Sequence, residues 1–239
     1  MATGEGPEAI KRGVTVAIET SGKAGGVAVG RGLLLLAARD FEPGLLHGRE
    51  VVPRLRALFD ELALSPSAIE AIVVDVGPGS YTGLRVGIAA AKALAFATGA
   101  ACAGISAFAC FAAAATIAEG ERLFTTRDAR RGQVYGALFS RRDGVLVREL
   151  PDFAATPLEA AARVPEGAIV VGDGADAYPA ILGPPRYRRG PDAWAAPSVA
   201  TLYAVGAAAL ARGESTAAEA LVPLYLQPSE PERRARDRG

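Results

Sequence analysis

The chain has 239 residues, half of them hydrophobic, and its 26 Lys plus Arg balance its 26 Asp plus Glu. That length buries a real core, as one larger domain or as two small ones. A formal charge of zero argues against a protein that grips nucleic acid alone, which ordinarily carries a basic surplus; such contact would be local or shared with a partner.

Residues 1–13 hold Glu5, Glu8, Lys11 and Arg12 with no apolar core segment, and read as a short disordered start rather than a signal peptide. Val14 to Glu19 is a short apolar strand, followed by strands over 25–30 and 33–41 around a Gly30-Arg31-Gly32 turn. Val51, Val52, Leu55, Leu58, Phe59 and Leu62 then recur at helical spacing. The helix is expected to end near Leu64, and Ser65-Pro66-Ser67 makes a loop. Ala71 to Val76 is a continuous apolar run of the kind that forms a buried central strand. After it stands GPGSYTGLRVG at 77–87, then a helix from about Leu84 to Ala97. Ala101 to Ile105 is strand-like, and Ser106 caps a helix expected to reach Ala118. The stretch 86–118 carries one charge, Lys92, but its Ala and Gly content and the turns at Thr98-Gly99 and Gly104 argue against a membrane span. Cys102 and Cys110 lie in this Ala-rich stretch and read as buried free thiols of a reducing, cytoplasmic compartment.

The second half repeats the order. Strands are expected over 122–126, 133–140 and 145–150, with a hairpin turn at Arg141-Arg142-Asp143-Gly144. Thr156 caps a short helix over 157–164 that has Pro157 in its first position. A strand over 168–171 leads into the turn Gly172-Asp173-Gly174, with helices over 175–182 and 197–212. Each half reads as three strands, helix, strand, glycine turn and helix, a duplicated unit of ordinary domain size. Such a unit builds a mixed α/β sheet flanked by helices. The expected domains are 14–119 and 120–228, with a charged tail at 229–239.

The glycine-rich stretch is not a standard nucleotide loop. A P-loop needs Lys and Ser or Thr straight after its last glycine, and here Gly83 is followed by Leu84-Arg85; the Rossmann spacing fails at Thr82. The alternative use of glycine is close backbone approach. Gly83, Gly87 and Ala91 lie four apart on one helical face, with Ala90 and Ala97 nearby. Two readings stay open: packing inside the chain's own domain, or an interface with another protein.

GPGSYTGLRVGIAAAKALA closely resembles the signature stretch of the bacterial TsaB (YeaZ) family. VAIETS at 16–21, His47 leading into REVVPRLRAL, DARRGQVYGALF at 128–139, GDGA at 172–175 and PLYLQ at 223–227 agree in order. The resemblance implies two tandem actin-like ATPase (ASKHA, ribonuclease H-like) domains. It implies a non-catalytic scaffold in the synthesis of N6-threonylcarbamoyladenosine in tRNA, paired with the catalytic subunit TsaD and joined by the ATPase TsaE. tRNA is then met through the complex, a homodimer is expected when the chain is alone, and ATP and Mg²⁺ belong to the assembled complex rather than to this chain. On that reading the helices after His47 and after the glycine stretch form the partner interface, through His47, Val51, Arg54, Gly83, Arg85, Val86, Gly87, Ala90, Ala91 and Leu94.

Chemistry of the chain's own is tested by its titratable residues. The single histidine, His47, excludes a His pair for a metal. By resemblance, the metal-binding His pair of TsaD aligns near Ala107 and Phe111. His47 precedes an amphipathic helix and reads as helix-starting rather than as a general base. Carboxylates at strand ends, with adjoining polar and glycine positions, make a candidate nucleotide cleft: Glu19, Thr20, Ser21, Asp75, Gly77, Gly79, Asp128 and Asp173. In an active enzyme such acids would hold Mg²⁺; as structural groups they cap helices and turns. Glu19 departs from the aspartate usual in the family and reaches one methylene further. An independent ATPase or phosphotransferase using these acids is the alternative function. The arginine clusters at 127–131, 186–189 and 233–238 read mostly as solvated faces.

Overall fold

The computed structural model describes residues 13–22, 25–42, 47–195 and 198–227. The expected disordered start before Gly13, the tail at 229–239 and Pro197 lie outside the described residues, as does the side chain of His47. The described chain forms two compact units.

In the first unit, β1 (Val14–Glu19), β2 (Gly26–Arg31) and β3 (Leu34–Asp40) form an antiparallel meander, and α1 (His47–Glu61) leads into β4 (Ile69–Gly77). α2 (Tyr81–Thr98), β5 (Ala101–Ser106) and α3 (Ala107–Ala114) follow. β4 and β5 join in parallel, so the sheet order is β3-β2-β1-β4-β5. Successive side chains of a strand point to opposite faces, and the two faces of this sheet are built differently. Val14, Val16, Ile18, Ile72 and Val74 face α1 and α2 and pack on Val51, Leu55, Leu58, Ile88 and Ala91. Ala17, Ala28, Ala71 and Ala103 line the other face.

The second unit repeats the topology: β6 (Arg122–Arg130), β7 (Gln133–Arg142), β8 (Val145–Ala155), α4 (Pro157–Arg163), β9 (Ile169–Val171), α5 (Asp173–Ala177), α6 (Pro179–Leu182) and β10 (Arg188–Arg189). Its order, β8-β7-β6-β9-β10, is that of the first sheet. The fold is two tandem ASKHA-like domains, each a mixed sheet with flanking helices.

Four details depart from the sequence reading. The helix after Ser106 stops at Ala114, because Ala115 turns extended at φ −87° and ψ 138°. Beyond it Glu119 accepts from the Asp143 and Gly144 amides and caps the β7–β8 turn. β8 runs past Pro151 to Ala155, which an outermost strand tolerates. The helix expected over 175–182 is two short ones, interrupted at Tyr178 before Pro179.

The fourth departure concerns α7 (Val199–Ala211), expected in the C-terminal domain. The described residues from Ala193 to Pro223 belong to the first unit, whereas the second comprises Ile117–Asp192 and the described residues from Leu224 to Gln227. The physical reason is fit. α7 is apolar nearly all round and buries Val199, Leu202, Tyr203, Gly206, Ala207 and Leu210. Its Gly206 lies so close to β4 that a Cβ there would stand 2.1 Å from Val73 Cγ1. Only the alanine-lined face of the first sheet admits so close a helix.

Tyr203 fastens α7 to the β2–β3 hairpin: its hydroxyl donates toward the Gly32 carbonyl at 2.8 Å and the Leu34 carbonyl at 3.2 Å. Burial pushes the phenol up to about 12. The fold therefore holds the protonated form, whereas the unfolded chain releases that proton near the ordinary value of about 10. This contribution is whole below pH ~10 and is lost as pH rises through about 12. Denaturant titrations are expected to show stability falling across that alkaline window. Tyr203→Phe should flatten that part of the slope and cost about 1 kcal/mol at neutral pH.

Candidate functional site: a locked glycine loop and an exposed helix face

Parallel pairing of β1 with β4, in register at Ile18 and Val74, brings the segments 19–21 and 77–80 out side by side. The Ser80 amide donates to the Ser21 carbonyl at 2.9 Å. Ser80 then caps α2, accepting from the Gly83 amide at 3.2 Å, and Gly99 closes the helix in the left-handed conformation.

Three small residues of α2, Gly83, Gly87 and Ala91, face inward. A Cβ on Gly83 would lie 2.0 Å from the Thr20 carbonyl oxygen, and one on Gly87 would lie 2.3 Å from Thr20 Oγ1. The Thr20 hydroxyl donates to the Gly83 carbonyl at 2.7 Å. This answers the question the sequence leaves open. Gly83, Gly87 and Ala91, expected to meet a partner, are buried against the chain's own first sheet. Val51 is likewise buried in that core. Of the other expected interface residues, Val86, Ala90 and Leu94 are half-buried and Arg85 is exposed. Arg54 is half-buried and bonded to Glu50 at 2.8 Å. Glu50 and Glu42 raise its guanidinium above the ordinary arginine value.

The carboxylates of the candidate cleft are committed to the same architecture. Asp75 is buried; its Oδ2 accepts from the Ser21 hydroxyl at 2.5 Å and its Oδ1 from the Gly77 amide at 2.6 Å. Glu19 Oε1 accepts from the Ser21 and Gly22 amides at 2.7 and 3.0 Å. The extra methylene of Glu19 thus lets the side chain curl back and cap its own turn. In the second unit, Asp173 accepts from the Asp128 amide at 3.0 Å, and Asp128 accepts from the Arg130 amide at 2.8 Å. Among the described residues no group of three His, Cys, Asp or Glu side chains is arranged to hold a metal ion. In the first unit both Asp75 carboxylate oxygens and Glu19 Oε1 accept hydrogen bonds from neighbouring groups of the chain. Cys102 and Cys110 are free and buried, and burial pushes the Cys102 thiol up. No helix of the described residues is long and apolar enough to cross a membrane.

The outward face of α2 carries Arg85, which the sequence reading named, and four residues that it did not. Thr82, Arg85, Ala89, Ala93 and Phe96 are exposed at spacings of three and four, so they form one stripe. Phe96 is 93% exposed. The Arg85 guanidinium lies 4.1 Å from the centroid of the Tyr81 ring, which holds it back along the first turn. α1 packs beside α2, where its Gly48 stands so close to Val86 that a Cβ would lie 3.3 Å from Cγ1. α1 adds Val52, 68% exposed. Burying a phenylalanine or valine contributes about 1.5–3 kcal/mol, and this domain leaves both uncovered. The repeated Ala at four-residue spacing was legible in the sequence; which alanine stripe faces out was not.

These features define a duplicated actin-like ATPase fold whose first-domain glycine loop is structural. A family profile described as "TsaD: tRNA N6-adenosine threonylcarbamoyltransferase" matches residues 45–164. The tRNA threonylcarbamoyladenosine biosynthesis protein TsaB of Bacillus subtilis is 32% identical over 142 residues, 57% of this chain; the chain spans 59% of that relative's length. A Mycobacterium tuberculosis protein is 32% identical over 158 residues, 64% of this chain and 73% of its own length. The solved structure of YeaZ from Pseudomonas aeruginosa is 28% identical with a TM-score of 0.73, covering 90% of this chain and 100% of its own. The chain belongs to the TsaB/YeaZ family.

Two substitutions separate the inner face of α2 from the outer. Gly83→Ala drives a methyl into the Thr20 carbonyl and should destabilise the fold by about 1–3 kcal/mol. Ala93→Ser, on the exposed stripe, should stay within about 0.5 kcal/mol of the parent. Chemical denaturation midpoints check both. Asp75→Ala strands the Ser21 hydroxyl and the Gly77 amide and should cost roughly 2–4 kcal/mol in the same assay.

Proposed function

We propose that this protein is a supporting, non-catalytic subunit of the machinery that transfers a threonylcarbamoyl group to adenosine in tRNA. Its working surface is the outer face of α1 and α2, and the partner seated there is a TsaD-type catalytic subunit. A TsaE-type ATPase joins the assembly, ATP and Mg²⁺ act in that complex, and tRNA is met through it. One observation carries the docking part of this reading: Phe96 and Val52, large apolar side chains, stand exposed beside a row of alanines on adjacent helices. Alanines allow another helix to approach closely, and the two larger side chains anchor it. The locked carboxylates support a supporting rather than a catalytic role, because Asp75 and Glu19 serve the fold. The Gly83 and Gly87 positions contribute indirectly, by setting the height at which α2 rides on its sheet.

The test is reconstitution. Purified chain added to TsaD-type and TsaE-type subunits, tRNA and threonylcarbamoyl-AMP should switch on modification. Phe96→Asp should abolish co-purification with the catalytic subunit while the melting temperature stays within about 2 °C of the parent. Full-yield co-purification of that variant would remove the interface assignment. Steady ATP hydrolysis by the chain alone, lost in Glu19→Gln, would overturn the supporting role.

A further inference from the structure

Two hairpin turns of the second sheet share a backbone shape and differ in what they carry. The β7–β8 turn places Asp143 and Gly144 at φ 52° and 75°, and Asp-Gly is a pair that such a left-handed turn ordinarily selects. The β6–β7 turn places Arg131 and Gly132 at φ 54° and 76°, with Arg130 before them at φ 63°. In this region a Cβ is crowded by the carbonyl that follows it, and arginine has no short polar group to bond the local backbone in return. Glycine or asparagine would make the same turn with less strain, so turn chemistry does not account for the two arginines.

The hairpin is held from below by acids. Asp128 Oδ1 accepts from the Arg130 amide at 2.8 Å, and its Oδ2 lies 3.1 Å from the Arg130 guanidinium. Asp173 in turn accepts from the Asp128 amide at 3.0 Å. Two carboxylates expected in a nucleotide cleft thus hold an arginine at a hairpin tip. One ion pair uses little of a guanidinium with five N–H donors, and the Arg130 side chain is 80% exposed. Arg131 is exposed beside it. The arginines of β10 are spent differently: Arg188 reaches Glu121 at 2.6 Å, and Arg189 reaches Asp176 at 3.0 Å and Asp192 at 3.4 Å. The β6–β7 turn also marks where the charged tail leaves the described residues. Gln227, the last of them, donates through Nε2 to Oε1 of Gln133, the first residue of β7 and the neighbour of Gly132. Arg233, Arg234, Arg236 and Arg238 follow, with the single acid Asp237 among them. The chain from Gln227 to Arg233 reaches at most about 20 Å, so these arginines begin within that tether of the hairpin. Gln133 and Gln227 are 94 residues apart in sequence, and the fold brings their two arginine clusters to one place.

We propose that this corner of the second unit is an RNA-backbone grip: Arg130 and Arg131 at the hairpin tip, with the arginines at 233–238, hold phosphates of the tRNA directly. The chemistry selects phosphate. Both clusters are arginine without lysine, and the planar guanidinium fork matches phosphate oxygens two at a time. A braced pair beside a tethered set spans several phosphates of a polyanion, which one small ion would not require. The contact is local, as a chain of zero net charge demands, and it orients an RNA without reading its bases. The choice of RNA over an acidic protein rests on the proposed role in tRNA modification. The grip uses no residue of the α1–α2 face, so the two can be tested apart.

Fluorescence anisotropy with a labelled, unmodified tRNA transcript and the full chain alone, over a salt series, tests the proposal. Binding is expected, with log affinity falling against log salt by about 0.9 per phosphate contact. Arg130→Gly/Arg131→Gly should weaken it at least about fivefold and flatten that slope by about two. The melting temperature should hold or rise in this variant, because glycine relaxes the left-handed turn. Arg130→Lys/Arg131→Lys keeps both charges and should keep the slope. Arg233→Gln/Arg234→Gln/Arg236→Gln/Arg238→Gln should weaken binding and flatten the slope as the hairpin variant does. Arg212→Gln, which removes an exposed arginine at the end of α7, should leave binding unchanged. In the reconstituted reaction the hairpin glycines should raise the KM for tRNA about as far as they weaken binding, while the catalytic subunit still co-purifies at full yield. Absence of RNA binding by the chain at about 50 mM salt overturns the proposal. So does a slope that either set of substitutions leaves untouched, or an equal loss of binding in Arg212→Gln. Polyglutamate that competes as well as tRNA overturns it in favour of an acidic protein partner. A parent chain that binds RNA through these arginines yet fails to switch on modification supports the grip and strikes the proposed function instead.

Discussion

The contact between α2 and Thr20 sets the geometry of the first domain. A Cβ at position 83 would stand 2.0 Å from the Thr20 carbonyl oxygen and one at position 87 would stand 2.3 Å from Thr20 Oγ1, so the helix lies this close only because Gly83 and Gly87 lack them. Thr20 uses the space gained: its hydroxyl bonds the Gly83 carbonyl, and the neighbouring Ser21 hydroxyl reaches Asp75. Loop, strand end and helix start are thereby tied into one unit with its polar groups paired, as buried polar groups require. The outer stripe of α2 inherits its rigidity from this arrangement.

The same logic operates on the opposite face of the sheet. Alanines at 17, 28, 71 and 103 and a glycine at 206 bring α7 down onto the strands, while valines and isoleucines fill the α1–α2 side. The two faces need different helix heights, and the alternation of alanine with valine or isoleucine in β1 and β2 helps provide them. Because α7 comes from beyond the second sheet in the sequence, the first domain is complete only after residues 193–223 have returned to it. The two domains are tandem in topology but interleaved in chain.

The acids at the strand ends of the first domain are tied into its local structure. Glu19 and Asp75 each accept two hydrogen bonds from nearby backbone or hydroxyl groups. What the domain leaves unsatisfied is apolar: Phe96 and Val52 on the helices, and the leucines of the β3 edge.

Local sequence determined much of this. Period-two and period-3.6 patterns placed most strands and helices, Ser80, Ser106 and Thr156 marked helix starts that are real caps, and the repeated order of elements announced two copies of one topology. Short-range pattern also exposed the four-residue spacing of small side chains in α2. It did not say which side of the helix meets the sheet, because both faces of α2 carry small residues: Gly83, Gly87 and Ala91 on one, Ala89 and Ala93 on the other. It did not assign α7 to its sheet either, since a helix apolar nearly all round advertises no particular partner. Those choices were made by tertiary packing, where a Thr20 carbonyl and a Val73 methyl leave room for a hydrogen atom and nothing larger.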